Sequence, residues 1–519
     1  MHIGVDVGGT NTDAALIDGE TVIASIKSPT TEDVASGVMA AIQHVLDQSG
    51  ATPQGISSVM IGTTQFTNAF VEGKRLVPVA TFRAALPATE SLLPMADFPE
   101  HLRAAIGQAS YLVGGGYEFD GRVIRALDEA AVRDAARDMK AKGITSAAIS
   151  GVFSPINGSN ENRIAGIISE EAPGTLITLS SEIGRVGLIE RENAAIMNAS
   201  LAELSRVVVN AFRSALAELS FTCPFFISQN DGTLMTAEFA EKYPVLTFAS
   251  GPTNSMRGAA FLSGIKDGIV IDIGGTTSDV GVLKDGFPRE SALAVDIGSV
   301  RTNFRMPDIL AIGLGGGSIV RETSNGVTVG PDSVALKLTE RALVFGGDTL
   351  TATDIAVAAG LAEIGDVSKV AHLEKDLVKA ALDRIHQKLE QTIDKVKSSQ
   401  GKVPVILVGG GTILVNRALH GASDVIRTEN AGVANAIGAG LAQAGGEVDK
   451  IFSYEDVGRD KAMEQAKAEA IERAVAAGAN QTTTDVISLD EMPLAYLPGG
   501  AVRIKAKAIG DLAHTGGME

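Results

Sequence analysis

Two short segments, far apart in the chain, carry the same chemical groups at the same offsets. The first reads Ile3-Gly-Val-Asp6-Val-Gly8-Gly9-Thr10-Asn11-Thr12-Asp13, and the second reads Val270-Ile-Asp272-Ile-Gly274-Gly275-Thr276-Thr277-Ser278-Asp279. Each is an apolar strand closing on an Asp, a Gly-Gly-Thr turn, a second Asp and an apolar return strand that ends in Asp-Gly (Asp18-Gly19, Asp285-Gly286). Paired glycines let a backbone approach a phosphate with no Cβ in the way, and successive N–H groups and Thr hydroxyls can donate to its oxygens. An Asp at a strand end can hold Mg²⁺ directly or through water. One such turn would be weak evidence, because Gly-Gly turns are common in hairpins. Two copies in register suggest related halves facing each other across one nucleotide. A third segment, Pro404-Val-Ile-Leu-Val408-Gly409-Gly410-Gly411-Thr412, runs a buried strand into three glycines and suits close packing on a purine face.

These groups need elements to position them, and the hydrophobic pattern supplies candidates. Strands are predicted at 3–7, 14–17, 22–28, 59–61, 147–153, 176–179, 225–229 and 405–408. Helices are predicted at 34–48, 130–142, 160–171, 353–361, 374–397, 431–444 and 456–477. One long Ala-rich helix is expected over 190–219. In the C-terminal region, 484–489 and 501–508 are predicted strands. Val502-Arg-Ile504-Lys-Ala506-Lys-Ala508 alternates apolar and basic residues, as a strand with one solvated face would. The expected division is an N-terminal α/β domain over 1–185, a second over 186–450 and a small α+β appendage over 451–519.

Composition narrows the function. With 519 residues, 45% hydrophobic and 20% charged, the chain has room for two or three globular domains. Its formal net charge of −18 argues against a general nucleic-acid binder. It also means that a phosphate ligand must be held by backbone N–H groups, a metal ion and local Lys or Arg. The lone Cys223 lies in an apolar stretch and is expected to be an inert thiol. The seven His are scattered, so no dedicated zinc site is expected. No basic leader precedes the apolar strand at Ile3, and no uncharged apolar run reaches the ~18 residues of a membrane span. A cytoplasmic protein without a membrane segment is expected.

The two Asp-x-Gly-Gly-Thr segments followed by Val-Gly-Gly-Gly resemble the phosphate-1, phosphate-2 and adenosine motifs of the actin/Hsp70/sugar-kinase superfamily. More narrowly, the chain resembles the hydantoinase/oxoprolinase A subunits. Gly62-Thr-Thr-Gln-Phe-Thr-Asn68, Ser180-Ser-Glu182, Glu190-Arg191-Glu-Asn193, Ser250-Gly-Pro252, Ile312-Gly-Leu-Gly-Gly-Gly-Ser318 and Val329-Gly-Pro331 occur in that family's order, over about residues 1–445. The resemblance implies two actin-like (ribonuclease H-like) α/β ATPase domains flanking a nucleotide cleft, with ATP and Mg²⁺ as cofactors. It implies ATP-dependent hydrolysis of a cyclic amide (a hydantoin, 5-oxoproline or a lactam) through phosphorylation of the carbonyl oxygen. Asp6 and Asp272 would bind Mg²⁺. Gly8, Gly9, Thr10, Asn11, Thr12, Gly274, Gly275, Thr276 and Thr277 would hold phosphate, and Gly409, Gly410 and Gly411 would line the adenosine. Asp13 and Asp279 would stand beside the γ-phosphate as catalytic candidates; each equally suits a turn cap. A hydantoinase B-type partner subunit and a homo-oligomer both fit the resemblance.

The chain also departs from the family. The usual A subunit is longer, the segment at 250–256 is normally richer in Gly, and the run that often follows Val-Gly-Pro is replaced by Asp332-Ser-Val-Ala-Leu-Lys. These differences bear on the substrate and the partner rather than on the phosphate loops. Thr63, Thr64 and Asn68, at a strand end before a helix, could contact substrate or simply cap the helix. Arg191 could reach a ligand or form a structural ion pair, and the loop Gly313–Ser318 could admit a ligand or only turn the chain. Three other functions share these motifs: a small-molecule kinase, a non-enzymatic ATP-switched module, and the ATPase subunit of an ATP-dependent carboxylase.

Overall fold

The computed structural model describes residues 1–513 apart from positions 10, 32, 292, 325, 442, 496 and 498. It is a mixed α/β structure with several sheets. The chain crosses repeatedly between two compact units. Residues 1–62, 249–290 and 307–441 build the first, and 63–248, 291–306 and 442 onward build the second.

In the first unit, the strands His2–Val7 and Asn11–Asp18 form an antiparallel hairpin with Asp6 directly opposite Asp13. Thr21–Pro29 adds to it antiparallel, and Ser58–Thr63 lies on the other side. The second hairpin, Gly268–Ile273 with Ser278–Lys284, repeats the register, with Asp272 opposite Asp279. Gly8 N–H donates to the Asn11 carbonyl at 2.9 Å, and Gly274 N–H donates to the Thr277 carbonyl at 2.9 Å, so the two turns close identically. Val403–Val408 and Ala422–Arg427 extend the second sheet in parallel. The near-continuous apolar sequence of Val403–Val408 fits a strand covered on both faces, and Val405–Val408 are fully buried.

Two helices join these hairpins. Ser250–Ser263 packs on the second sheet and Ala434–Ala439 on the first, and the two helices pack closely on each other. Their contact depends on missing side chains: a Cβ on Gly438 would lie 1.8 Å from the Asn254 carbonyl oxygen, and one on Gly258 would lie 1.9 Å from that of Ala434. Gly438→Val is therefore expected to destabilise the protein by about 3 kcal/mol through forced separation of the helices. Thermal unfolding checks this; an unchanged midpoint would contradict the close packing.

In the second unit, a parallel sheet runs in the order Gly107–Gly114, Val79–Leu86, Ser146–Gly151, Leu176–Leu179. The helices Glu129–Ala141 and Ser159–Glu171 bury Val132, Ala136, Met139, Ile164, Ile167 and Ile168 against it. The helix Leu188–Ser200 also packs on this sheet and is buried from Arg191 onward. Further strands of this unit pair in the order Asp485–Pro493, Ala501–Asp511, Gln443–Ser453, Leu234–Thr236, Phe225–Ser228. Residues 451 onward are thus α+β, and their strands belong to the same sheet as Leu234–Thr236 and Phe225–Ser228. Among the described residues, no helix is long and apolar enough to cross a membrane.

Four local expectations differ from the structure. The helix over 456–477 is two helices, Tyr454–Val457 and Arg459–Ala476, parted at Gly458 with φ +80°. The long helix over 190–219 is two helices, Leu188–Ser200 and Ala202–Glu218. The Ser200 carbonyl accepts from Val77 N–H at 2.9 Å, so the chain bends and its second half packs Val209 against Ile227 and Met235. The helix over 431–444 shrinks to a 3-10 turn and Ala434–Ala439, because the chain from Gln443 pairs with Ala501–Asp511. The basic face of Ala501–Asp511 is largely covered by acidic partners rather than open to water. Arg503 pairs with Asp449 at 2.6 Å, Lys505 with Glu447 at 3.5 Å and Lys507 with Asp231 at 3.0 Å. Alternation fixed which residues share a face, but the acidic residues facing them come from distant sequence.

Candidate functional site

The two hairpin turns and the Gly409–Gly411 segment line one pocket of about 400 Å³ within the first unit. Gly8, Gly9, Asn11 and Asp13 come from the first hairpin, and Asp272, Gly274, Gly275, Thr276 and Thr277 come from the second. Nothing lies within 4 Å of where a Cβ would stand on Gly9 or Gly275, so both turns leave open space at their tips. Gly409, with φ +86°, is a position where glycine is required. A Cβ there would meet Asp272 Oδ1 at 2.3 Å and the Ile273 carbonyl at 2.5 Å.

The carboxylates are held by the two glycine-packed helices. Asn254 Nδ2 donates to Asp6 Oδ1 at 3.1 Å, and Asn435 Nδ2 donates to Asp6 Oδ2 at 3.0 Å. Ser255 Oγ donates to Asp272 Oδ2 at 2.5 Å. Burial pushes Asp6 up to about 6; the Asp13 charge adds to this and the two amides oppose it. Burial, aided by the neighbouring Asp272 charge, pushes Asp279 up to about 7. Asp13 is also raised by burial, which outweighs the opposing Lys27 ammonium, and Asp272 is raised by burial against the Ser255 hydrogen bond. Asp13 Oδ1 is buried without a hydrogen-bond partner among the described residues.

This donor set fits a divalent cation. Two carboxylates of the lining, Asp13 and Asp272, stand with the Lys27 ammonium, which pairs with Asp13; the Asp13 charge raises the pKa of Asp6, and the Asp272 charge raises those of Asp13 and Asp279. A polyphosphate could not enter such a pocket without a countercharge. Among the described residues, no three potential ligands cluster tightly enough to hold a metal alone. A hard cation here would complete its shell from phosphate oxygens and water, as Mg²⁺ commonly does.

Not every sequence candidate reaches the pocket. Asp6 is 3% exposed and sits behind the lining, where its contacts are Asn254 and Asn435. Asp279 lies beside Asp272 on the return strand and is not among the lining residues. Thr12 is buried, with its hydroxyl 3.2 Å from that of Thr30. Thr10 lies outside the described residues. Thr63, Thr64 and Asn68 belong to the second unit: Thr63 is buried, Thr64 precedes the helix Gln65–Glu72, and Asn68 is exposed on it. Arg191 is 1% exposed and donates to Ser180 Oγ at 2.8 Å and to the Gly151 carbonyl at 2.5 Å. Burial lowers its pKa to about 10 against the pull of Glu161, Glu192 and Glu190.

Several lining residues were not singled out from sequence. Lys27 arrives through the register of a third strand, directly opposite Asp13. Ser255 and Asn435 come from the two helices, and Ile413, Leu338 and Ile364 give apolar walls. The Gly313–Ser318 loop buttresses the second turn. Gly316 N–H donates to the Gly274 carbonyl at 3.0 Å, and Gly317 N–H donates to that of Gly275 at 2.7 Å. The glycines are needed there, since a Cβ on Gly315 would lie 2.7 Å from the Gly274 oxygen. A signal for the helix residues was present in Ser250-Gly-Pro-Thr-Asn-Ser255, which carries both Asn254 and Ser255.

Comparison with known proteins agrees with this frame. Residues 2–172 match the family model described as hydantoinase/oxoprolinase N-terminal region, and residues 191–397 match hydantoinase/oxoprolinase. The chain is 26% identical over 427 residues to caprolactamase subunit alpha of Pseudomonas jessenii, an alignment covering 76% of this chain and 59% of that protein. It is 27% identical over 396 residues to the acetophenone carboxylase gamma subunit of Aromatoleum aromaticum, covering 69% and 53% respectively. The matches thus span little more than half the length of these curated relatives. The solved ATP-dependent caprolactamase from Pseudomonas jessenii superposes with a TM-score of 0.79 at 19% identity, covering 99% of this chain and 88% of that one. Nucleotide-free acetone carboxylase gives 0.66 at 19% identity with the same coverage. At that identity the superpositions speak to the fold alone, and the family rests on the matched segments that carry the paired hairpins: the chain belongs to the hydantoinase/oxoprolinase family.

Proposed function

We propose that the chain binds Mg-ATP at the paired hairpins and supports ATP-dependent opening of a cyclic amide, alone or as the ATP-binding subunit of a complex in the cytoplasm. The observation that carries this reading is the shared pocket of two identically closed Gly-Gly turns, with an Asp pair on each hairpin. The family gives the reaction class, and relatives named as a caprolactamase subunit and a 5-oxoprolinase support a lactam-type substrate.

Each group has a physical task in this scheme. N–H groups and hydroxyls of Gly8–Asn11 and Gly274–Thr277 would hold the phosphate chain, with Thr10 and Thr12 as further candidates from the same hairpin. Asp272, in the lining, and Asp6, behind it, would hold Mg²⁺. Gly409–Gly411 with Ile413 would pack on the base. Asp13, in the lining, would orient the attacking group and hold a proton, a task suited to a carboxyl with raised pKa, and Asp279, outside the lining, would act through its neighbour Asp272. When bound, Mg-ATP would supply the phosphoryl group that makes the amide oxygen a leaving group. Lys27 would offset the phosphate charge. Thr63, Thr64, Asn68 and Arg191 are carried only by the resemblance. Arg191, enclosed by backbone carbonyls, would act on the substrate only by supporting the Gly184–Gly187 segment.

A phosphate-release screen tests the function. Hydantoins, lactams and 5-oxoproline are expected to stimulate release and yield a ring-opened acid. Stimulation by polyols with a stable phosphorylated product would instead indicate a kinase. The carboxylase subunits among the relatives favour a second reading, the ATPase subunit of a carboxylase, for which turnover would require bicarbonate and a partner. Lys27→Met is expected to weaken Mg-ATP binding about tenfold, the scale of one charge-assisted hydrogen bond. Calorimetry checks this, and unchanged affinity would place Lys27 outside the phosphate site.

A further inference from the structure

The second unit has a cavity of its own, of about 480 Å³, that none of the hairpin chemistry uses. Arg185, Arg305, Arg473, Lys450, Glu447 and Asp449 line it, and Ile183, Phe239, Tyr243 and Leu246 supply apolar wall. Glu182, also in the lining, pairs with Lys242 at 3.1 Å, and the other charged side chains form a network in which each carboxylate is shared. Glu447 lies 3.6 Å from Arg185, 3.4 Å from Arg305 and 3.5 Å from Lys505. Asp449 lies 3.1 Å from Arg185 and 2.6 Å from Arg503. Asp231 lies 3.4 Å from Arg305 and 3.0 Å from Lys507. Glu469 pairs with both Lys450 at 2.5 Å and Arg473 at 2.9 Å.

With the Glu182–Lys242 pair, these contacts bring together eight cations and five carboxylates, a local excess of positive charge in a chain whose net charge is −18. Much of the network is shielded from water: Asp231, Glu447 and Asp449 are 0%, 8% and 6% exposed, and Arg185 and Arg305 are 12% and 11%. Each cation already has a carboxylate partner, but the cations outnumber the carboxylates, and under such shielding that excess attracts a further anion. A concave site with apolar walls and a few convergent charges is the usual form of a small-molecule pocket.

We infer that this cavity binds a small organic anion, its carboxylate or phosphoryl group against Arg185, Arg305 and Arg473 and its apolar body against Phe239 and Leu246. The inference is independent of the nucleotide site: it would survive if the hairpins bound no ATP.

The test is calorimetric titration of the full chain, without nucleotide, using adipate in one arm and inorganic phosphate in the other. Binding is expected in at least one arm, weakening as salt is raised, and the arm that binds more tightly identifies the anionic group. Arg473→Gln and Lys450→Gln remove partly exposed cations, so their folds should persist, which thermal unfolding verifies. Loss of about tenfold in affinity is expected for Arg473→Gln. No heat in either arm for the wild type would overturn the inference. So would equal affinity in wild type and both folded variants.

Discussion

Asp272→Asn is expected to lower ATP turnover on the order of 10²–10³-fold while the protein stays folded. The substitution keeps the shape of the side chain, and the Ser255 hydroxyl that donates to Asp272 Oδ2 can still donate to an amide oxygen. What is lost is the negative charge that would hold Mg²⁺. Because burial already raises the Asp272 pKa in the metal-free protein, removing this charge should not destabilise the fold. Phosphate release measured across a Mg²⁺ titration, with a thermal melt alongside, checks both halves. Near-normal turnover at low Mg²⁺ would remove Asp272 from the metal site. Collapse of the melt would mean that the residue is structural.

Glu192→Ala is expected to destabilise the protein by about 3–5 kcal/mol, the cost of leaving a buried charge unpaired. Glu192 accepts from Arg83 at 2.7 and 2.5 Å and from Ser150 at 2.7 Å, with the Arg83 and Glu192 side chains 0% and 1% exposed. Truncating the acid leaves the Arg83 guanidinium with only the Leu92 carbonyl as a hydrogen-bond acceptor among the described residues. The double variant Arg83→Met, Glu192→Leu removes both charges at similar volume and is expected to recover most of the loss. Urea unfolding of the three proteins measures this. A mild single variant, or a double variant as unstable as the single, would show that the pair is not an isolated buried ion pair.

The contrast between Asp272 and Glu192 shows how far the sequence reaches. Both are acids in quoted motifs. Asp272 was legible as a site candidate because its motif recurs: the Gly-Gly-Thr turn fixes a hairpin, and the hairpin fixes Asp272 opposite Asp279. In Glu190-Arg191-Glu-Asn193, helical spacing said only that the charges diverge. That Arg191 turns to backbone carbonyls and Glu192 to Arg83 follows from strands more than a hundred positions away along the chain for Glu192, and forty for Arg191. The bend at Ser200 was equally hidden, because the partner of its carbonyl is Val77.

By itself the sequence determined the two hairpins, the Asp pairs across them and the glycine turns, because a β-hairpin is a local object whose register follows from its turn. It also determined most helices, through their apolar spacing. Only the tertiary structure decided what surrounds the carboxylates. Asn254 and Asn435 meet Asp6 because Gly258 and Gly438 let two helices approach within contact of each other's backbone. Lys27 faces Asp13 because the register shifts by one residue between Leu16 and Ile17; an unshifted hairpin would have put Ile26 there. Those outcomes depend on close packing and on a single bulged residue, and neither leaves a periodic trace in the chain.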